Sequence, residues 1–481
     1  SVSILSSTPS RQHEAAMNDL TSMSDLPAFR RRGGLRGRSL IPVGGERDVS
    51  VNRVPRDILP LPPEETHRSI AWRPGIFGAL DIGTTKMTCL IGKGEADGSI
   101  QVLGHGWRRS HGIRSGSIVD IREAEAAIRA TVGQAEEAAE RRMDSLVVNL
   151  SCGRPLSRLV DAQIPIGGRE VTAGDVQRLI AEGQARAWME GREVIHTLPI
   201  GYVVDSIPGI ADPIGHQCEE LATRMHVVDM NSSALRTLDA VLQHAELKLD
   251  GLVASPFASG ISVLAAEERE LGVTVVEMGG GTTSLAVFCE GKLLHTAQIR
   301  VGGLHVTRDI AGVLSTSLET AERLKTMYGA AQMGSDDQRE ILSVPLIGEN
   351  SDRLVRLQRS KVISVIQPRI EETLELVRQS LDNAGLGRLA NGRVVLTGGA
   401  SLLEGIVPVA TRILGRPVRM GKPQNIYGLP ETAAASAGFS TAAGLLAWAA
   451  GADRDFGDIS APEPRPRGLV KRLVGFIRNN V

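Results

Sequence analysis

The strongest constraint on the fold is a strand–turn–strand pattern that occurs twice in the chain. The first copy has an apolar run at Phe77–Gly83 and a second strand at Lys86–Ile91, and the second copy occupies Val273–Phe288. In each copy the apolar run ends on an acid, Asp81 or Glu277, and a turn of glycine and paired threonines follows. A whole pattern repeated at this distance predicts a duplicated domain rather than an isolated hairpin.

Both turns have the composition of a phosphate site. Glycine lets the backbone approach a ligand closely, and successive N–H groups of such a turn form a nest for anions. Threonine hydroxyls add hydrogen-bond donors, and the acids Asp81 and Glu277 can hold Mg²⁺ through water. Glu277 can also orient an attacking water, which makes it the candidate catalytic residue. The candidate phosphate-binding residues are Gly83, Thr84, Thr85, Gly279, Gly280, Gly281, Thr282 and Thr283.

A third glycine turn follows the apolar run Val394–Thr397 and contains Gly398, Gly399 and Ser401. A glycine pair lets a flat ring lie against the backbone. Upstream, Glu322 and Lys325 stand at positions i and i+3 of a predicted helix and therefore share one face. Alone, such a pair is more typical of a surface ion pair; beside three glycine turns, it becomes a candidate for binding ribose and adenine.

The net charge of −1 conceals an uneven distribution. Residues 1–74 carry +3, residues 75–464 carry −9 and residues 465–481 carry +5. The N-terminal segment has an arginine cluster at Arg30–Arg38 but no helical or strand period, which predicts a disordered basic extension. A solvated linker is favoured there over contact with an anionic surface. The acidic body gives no expectation of a nucleic-acid partner.

The C-terminal residues predict a membrane-binding helix. Residues 453–467 form a Pro-rich linker, and residues 468–481 contain basic residues but no acid. At about 100° per residue the apolar side chains fall on one face and the basic ones opposite. Packing on the protein's own core is the alternative, but a helix behind such a linker favours the membrane. The predicted membrane residues are Leu469, Val470, Lys471, Arg472, Leu473, Val474, Phe476, Ile477 and Arg478.

Together these motifs resemble the superfamily of actin, hexokinase and heat-shock chaperone ATPases. Asp81–Lys86 is similar to its first phosphate motif, Glu277–Thr283 to its second, and Val395–Ser401 to its adenosine motif. Within the superfamily the chain is most similar to the bacterial FtsA family of cell-division proteins. The stretches that carry this resemblance are Gly209–Gly215, Val301–Gly303, Ala321–Lys325 and Phe439–Leu445.

The resemblance implies an α/β, actin-like two-lobed fold of duplicated ribonuclease H-like domains, with a relocated small subdomain in the first lobe. Its expected parts, in chain order, are the first-lobe core at 75–154, the inserted subdomain at 155–232, the first-lobe core again at 233–272, the second-lobe core at 273–304, the second-lobe small subdomain at 305–385, the second-lobe core with the adenosine motif at 386–425, and a return to the first lobe at 426–452.

The resemblance also implies a function. Family members bind ATP with Mg²⁺, with Lys86 matching a position of the first phosphate motif. They polymerise head to tail, bind anionic lipids and dock the C-terminal peptide of the tubulin-like protein FtsZ, here on residues 305–385. They thereby tether FtsZ at the septum, on the cytoplasmic face of the inner membrane, and recruit later divisome proteins. Four cysteines without a CxxC pair and the lack of a secretory signal pattern favour a cytoplasmic location.

The sequence also bears on enzymatic activity and on alternative functions. Hydrolytic relatives place an acid or an amide at the position of Ser255, and serine is a poor general base. We therefore expect tight ATP binding with slow or negligible hydrolysis. The alternatives are a pilus-assembly or rod-shape actin homologue and a small-molecule kinase of the same superfamily. A kinase would need a catalytic aspartate near Ser255, where no convincing candidate stands.

Overall fold

The computed structural model describes residues 75–95, 98–347, 354–386, 392–430 and 436–451. The predictions for residues 1–74, for the linker at 453–467 and for the amphipathic helix at 468–481 lie outside these ranges. No helix within the described ranges has the length and apolarity needed to cross a bilayer.

The described chain contains strands and helices in alternating groups. The strands are β1 (Ile76–Ile82), β2 (Lys86–Gly94), β3 (Ile100–Arg109), β4 (Ile113–Arg114), β5 (Ser117–Ile118), β6 (Ser145–Leu150), β7 (Leu156–Glu170), β8 (Arg192–Val204), β9 (Ile207–Ile210), β10 (Gln217–Asn231), β11 (Lys248–Ala254), β12 (Val273–Met278), β13 (Thr283–Cys289), β14 (Lys292–Ile299), β15 (Ile341–Pro345), β16 (Leu354–Gln358), β17 (Arg393–Thr397), β18 (Val418–Met420) and β19 (Ile426–Tyr427). The helices are α1 (Ile121–Ala139), α2 (Ala173–Ala187), α3 (Ser232–His244), α4 (Ser255–Val263), α5 (Ala266–Leu271), α6 (Gly303–Leu314), α7 (Leu318–Tyr328), α8 (Arg359–Asn383), α9 (Ile406–Leu414) and α10 (Ser440–Ala450).

Two sheets share one topology and confirm the predicted duplication. The first sheet has the order β11-β6-β1-β2-β3-β19, and the second has the order β18-β17-β12-β13-β14. In both, a meander of three antiparallel strands is extended by parallel strands beside its first strand. Strands β1 and β12, which carry Asp81 and Glu277 near their ends, are therefore equivalent, and each lies at the centre of its sheet.

Helices α4 and α10 pack between the two sheets. Their side chains form one apolar cluster with residues of β1 and β2 from the first sheet and of β12 and β13 from the second. The two helices touch through their backbones, because a Cβ placed on Gly444 would lie 1.7 Å from the carbonyl oxygen of Ala258. Trp448 and Phe257 are both almost fully buried in the same cluster. The lobes thus share a core beneath the cleft that separates their turns.

The inserted subdomain consists of a sheet in the order β7-β10-β8-β9 with α2 packed against it. Its main strands are longer than the short strands that the sequence predicts: β7 and β10 have 15 residues each and β8 has 13. They are long because β10 pairs with β7 and β8 over most of its length. At its contact with β14, Ser157 Oγ lies 2.7 Å from His226 Nε2 and 3.1 Å from His295 Nδ1.

The second lobe carries its own small subdomain. It contains α6, α7, the β15–β16 hairpin and α8, which lie between β14 and β17 in the chain. Helix α7 begins at the cap residue Ser317, whose hydroxyl accepts a hydrogen bond from the N–H of Thr320 at 3.1 Å. Helices α6, α7 and α8 contribute to the same apolar cluster as β12 and β17. The subdomain is therefore packed firmly on the second-lobe sheet.

Candidate functional site

The two predicted phosphate turns face each other and touch. A Cβ placed on Gly280 would lie 2.4 Å from Thr85 Cγ2, and one placed on Gly281 would lie 2.4 Å from Thr84 Oγ1. Since any side chain at these two positions would push the hairpins apart, glycine is required there for close approach. The chain thus brings its two repeated turns to one place, as the sequence predicts.

A cleft of about 560 Å³ opens beside these turns and extends between the lobes. All three glycine turns and the predicted Glu322–Lys325 pair contribute to its wall. The predicted site residues on the wall are Asp81, Thr85, Lys86, Glu277, Gly279, Gly280, Glu322, Lys325, Gly398 and Gly399. The other predicted residues, Gly83, Thr84, Gly281, Thr282, Thr283 and Ser401, lie behind the wall.

Three hydroxyls of this second group make hydrogen bonds that support the turns. Thr283 Oγ1 donates to the carbonyl oxygen of Val301 at 2.8 Å, and Ser401 Oγ donates to that of Gly398 at 2.7 Å. Thr84 Oγ1 accepts from the N–H of Gly116 at 3.0 Å. These hydrogen bonds support the shape of the turns. In its bond the Thr84 hydroxyl is the acceptor, so its own proton is still available to a ligand. That these residues bind a ligand stays a prediction.

Two acids and one cation meet where the two predicted phosphate turns line the cleft, which is here called the phosphate end. Burial raises the pKa of Asp81 to about 6, although the charge of Lys86 lowers it in part. Burial together with the negative charge of Asp81 raises the pKa of Glu277 to about 8. Burial lowers the pKa of Lys86 to about 8. A pair of carboxyl groups that repel each other's ionisation is a donor set that a divalent cation would neutralise, so both acids suit the Mg²⁺ that the sequence predicts.

The Lys86 ammonium contacts a segment far away in the sequence. Its Nζ donates to the carbonyl oxygen of Gly438 at 2.7 Å and lies 3.5 Å from the centroid of the Phe439 ring. The Trp107 ring meets the same Phe439 ring edge to face at a centroid distance of 5.5 Å. Lys86 thus lies on the wall of the cleft but is held by the segment that precedes α10.

On the wall formed by α6 and α7, Glu322 and Lys325 belong to a larger network. Lys325 Nζ donates to Glu322 Oε2 at 2.7 Å and to Thr307 Oγ1 at 2.9 Å. The Thr307 hydroxyl is 2.5 Å from Glu322 Oε2, and Lys325 Nζ also reaches the carbonyl oxygen of Gly303 at 3.2 Å. The Lys325 side chain is only 15% exposed. The Glu322 side chain is 44% exposed, so the pair lies on the cleft wall with the lysine buried and the carboxylate partly open to solvent.

Several wall residues were missing from the sequence-based set. Gly303, Ser436, Gly438 and Thr441 also line the cleft. The N–H of Gly303 donates to the carbonyl oxygen of Gly279 at 3.0 Å, which attaches the start of α6 to the second phosphate turn. A signal for Gly303 was present, since a glycine pair stands directly before a helical period. Gly438 had no comparable signal, because its contact spans 352 positions of the chain.

Ser255 is placed away from the cleft wall. It is 2% exposed, and its hydroxyl donates to the carbonyl oxygen of Leu150 at 3.0 Å while accepting from Asn149 Nδ2 at 3.2 Å. The Asn149 side chain in turn accepts the N–H of Ile82 at 2.7 Å. Ser255 thus tethers the ends of three strands of the first sheet and has little capacity left to hold a water.

The duplicated sheets, the shared core between them and the cleft above it define an actin-like, two-lobed protein. In agreement, the structure of a PilM–PilN type IV pilus biogenesis complex has the same fold, with a TM-score of 0.56 and 18% identity over 77% of this chain and 97% of that chain. The family model for "Cell division protein FtsA" matches residues 274–444, and that for "SHS2 domain inserted in FTSA" matches residues 153–229. The chain belongs to the FtsA family of cell-division proteins.

Curated relatives support this assignment over most of the chain. FtsA of Agrobacterium fabrum is 40% identical over 85% of this chain and 95% of its own length. FtsA of Pseudomonas aeruginosa is 35% identical over 76% of this chain and 87% of its own. FtsA of Escherichia coli K12 is 33% identical over 76% of this chain and 88% of its own length. Family membership gives this protein a role in cell division; the pilus-related structure, at its low identity, shows the fold alone.

Proposed function

We propose that this protein binds ATP with Mg²⁺ in the cleft, polymerises head to tail and tethers FtsZ filaments to the cytoplasmic face of the inner membrane at the septum, where it recruits later divisome proteins. The observation that carries the nucleotide part is the convergence of three glycine turns on one cleft. The remaining parts rest on family membership, on a hollow of the second-lobe small subdomain and on the composition of residues 468–481.

In the proposed complex each part of the cleft has a distinct task. The backbone N–H groups of the two hairpins and the Lys86 ammonium bind the phosphates, as anion-binding nests do. Asp81 and Glu277 hold Mg²⁺ through its waters, and the metal neutralises phosphate charge when it is bound. The Glu322–Lys325 pair and the Gly398–Gly399 turn accept the ribose and the flat base.

A substitution at Gly399 tests the nucleotide site. Open space surrounds this glycine, so Gly399→Val should fold normally but occupy the position of the base. Gly133→Val is the matched control, since Gly133 also has open space and lies on α1, outside the cleft wall. In isothermal titration with MgATP the control should bind like the wild type, and Gly399→Val should lose at least about tenfold in affinity. Equal affinity of the two variants would refute the proposed position of the base.

Hydrolysis should be slow. The hydroxyl of Ser255 is engaged on both sides, so among the described residues the carboxyl groups beside the proposed phosphate site are Asp81 and Glu277, and both are proposed to hold Mg²⁺. Burial raises the pKa of Glu277 to about 8, so its carboxyl is largely protonated at neutral pH in the absence of metal. We expect phosphate release well below about 1 s⁻¹, an ordinary enzymatic rate, in a steady-state assay. A faster rate would contradict this part of the proposal.

A hollow between α6 and α8 is the proposed docking site for the FtsZ peptide. It has a volume of about 820 Å³ and lies within the predicted docking segment at 305–385. Arg308 and Lys361 give it positive charge, while Val313 and Val365 give it apolar surface. Arg369 on its wall is already paired with Asp309, with 2.6 Å between Nε and Oδ2. Arg308 and Lys361 form no ion pair with an acid among the described residues, so with the two valines they suit an extended peptide with acidic and apolar side chains.

Charge reversal on α8 tests this docking site. Lys361→Glu places a negative charge in the hollow, whereas Arg378→Glu makes the same change on the same helix outside it. Titration with the C-terminal peptide of FtsZ should show a loss of affinity of about tenfold or more for Lys361→Glu alone. Comparable losses for both variants would indicate a general charge effect, and no loss for either would exclude the hollow.

The membrane part of the proposal rests on residues 468–481. Each basic residue near an anionic leaflet contributes about 1 kcal/mol, and one short amphipathic helix binds weakly and reversibly. Many copies on one filament would bind strongly through avidity. Sedimentation with anionic liposomes should therefore require both these residues and filament formation. If the chain without residues 468–481 still binds such liposomes, the anchor lies elsewhere.

A further inference from the structure

The contact between Lys86 and the segment before α10 joins the two lobes at the phosphate end of the cleft. This segment, Ser436–Phe439, is here called the strap. It touches the third glycine turn, because the N–H of Gly398 donates to the carbonyl oxygen of Ala437 at 3.1 Å. The strap also holds Lys86 through the Gly438 carbonyl and the Phe439 ring. It thus connects the first phosphate hairpin to the base-binding turn of the second lobe.

The strap and a phosphate group compete for the same ammonium. Lys86 lines the cleft beside Asp81 and Gly280, so a triphosphate bound there would come within its reach. An ammonium group is a flexible point charge that reorients easily, and anionic oxygens are stronger acceptors than a carbonyl or an aromatic face. A triphosphate in the cleft would therefore replace the contacts of Lys86 with the Gly438 carbonyl and the Phe439 ring.

We propose that Phe439 is a positioning residue for Lys86. Lys86 rests on the strap until the triphosphate of a nucleotide draws it away, so Lys86 leaves the strap for the phosphates and not for the nucleoside. This inference rests on the proposed nucleotide site. It adds a contact through which a bound nucleotide affects the strap and α10. Phe439 is 8% exposed, and its ring meets that of Trp107 edge to face. The departure of Lys86 from the Phe439 ring therefore alters the surroundings of Trp107.

Tryptophan fluorescence of the full chain tests the displacement. MgATP should change the emission, whereas adenosine, which lacks phosphates, should not. Trp107→Phe is the control for the other three tryptophans: this variant should bind MgATP normally but lose the signal. An equal response to adenosine, or a signal retained in Trp107→Phe, would overturn the inference.

Affinity ratios test the role of Phe439 separately from its packing. Phe439→Leu removes the aromatic face that competes for Lys86, so the affinity for ATP relative to adenosine should rise by about three- to tenfold. Phe439→Tyr keeps a ring and should retain the wild-type ratio. A purely structural role would weaken both ligands equally and leave the ratio unchanged, which would refute the inference. Absence of any MgATP binding in the wild type would instead refute the nucleotide site itself, and this inference with it.

Discussion

The first hairpin presents a lysine to the cleft, whereas its counterpart in the second lobe presents only backbone and an acid. Asp81–Lys86 has a single glycine and ends on a cation; Glu277–Thr283 has three consecutive glycines and no cation. Both are closed by an equivalent hydrogen bond, from Gly83 N to Lys86 O at 3.1 Å and from Gly279 N to Thr282 O at 2.8 Å. Duplication has thus preserved the backbone geometry while the charges have diverged.

In the proposed nucleotide complex, this difference means that the two hairpins divide the work of binding a phosphate chain. The first contributes a mobile cation, and the second contributes N–H groups that can approach closely because no side chain intervenes. The acids differ too, since burial raises the pKa of Asp81 to about 6 but that of Glu277 to about 8. Five substitutions in four experiments, taken from the largest expected effect on MgATP affinity to the smallest, test this division.

Lys86→Met should have the largest effect. A hydrogen bond from a charged group contributes about 1.5–3 kcal/mol, so the affinity for MgATP should fall by about 10- to 100-fold. The affinity for adenosine should stay within about twofold, since Lys86 lies at the phosphate end. Isothermal titration with both ligands measures the two changes. Parallel losses for ATP and adenosine would mean that Lys86 supports the cleft as a whole and that the hairpins do not differ in this way.

Gly280→Ala tests the close approach of the second hairpin. The added methyl would lie 2.4 Å from Thr85 Cγ2, so the two turns must separate. Overpacking of this kind costs about 1–3 kcal/mol and should lower both the free energy of unfolding and the affinity for ATP. Gly133→Ala adds the same methyl where there is open space and should not destabilise the protein. Denaturant unfolding of both variants provides the check, and equal stability would show that the turns are not in firm contact.

Glu277→Gln tests the difference in pKa between Asp81 and Glu277 through the pH dependence of MgATP affinity. With its pKa raised to about 8, the Glu277 carboxyl holds a proton that Mg²⁺ must displace, so MgATP affinity should increase as the pH rises from about 6 to 8. The increase should amount to about three- to tenfold and should stop near pH 8, where Lys86 has lost about half of its charge. Glu277→Gln should flatten this profile, leaving only the smaller contribution of Asp81 at the acidic end. A slope unchanged in the variant would assign the proton to another group.

The threonine hydroxyls should give the smallest effects on MgATP affinity, because their hydrogen bonds contribute to the stability of the turns. Thr283 is fully buried, and Thr283→Val would leave the carbonyl oxygen of Val301 without its donor, at a cost of about 1–2 kcal/mol in the free energy of unfolding. Thr84 is half-buried, and in Thr84→Val a water can replace its bond to Gly116, so the cost should be about 0.5 kcal/mol. Thermal unfolding of both variants checks the order, and the reverse order would mean that the first turn is the more tightly supported.

The sequence predicted the backbone of the site better than its side-chain roles. The two acid-tipped strands and the three glycine turns were predictable because glycine patterns and apolar runs are local signals. The directions of the Thr283 and Ser401 hydroxyls were not, since a hydroxyl serves a ligand or a nearby carbonyl equally well and only the surrounding structure decides. Contacts between distant segments, such as that of Lys86 with Phe439, leave no periodic signal in the chain.

The backbone contact between α10 and α4 has a mechanical consequence. Helix α10 is buried along its whole length, and Gly444 locks it against Ala258 in the core that both sheets share. The residues proposed to bind the membrane follow this helix in the chain. In the proposed membrane-bound filament, tension on these residues would therefore enter the centre of the protein rather than a surface loop. A protein attached in this way can bear force without unfolding first at its surface.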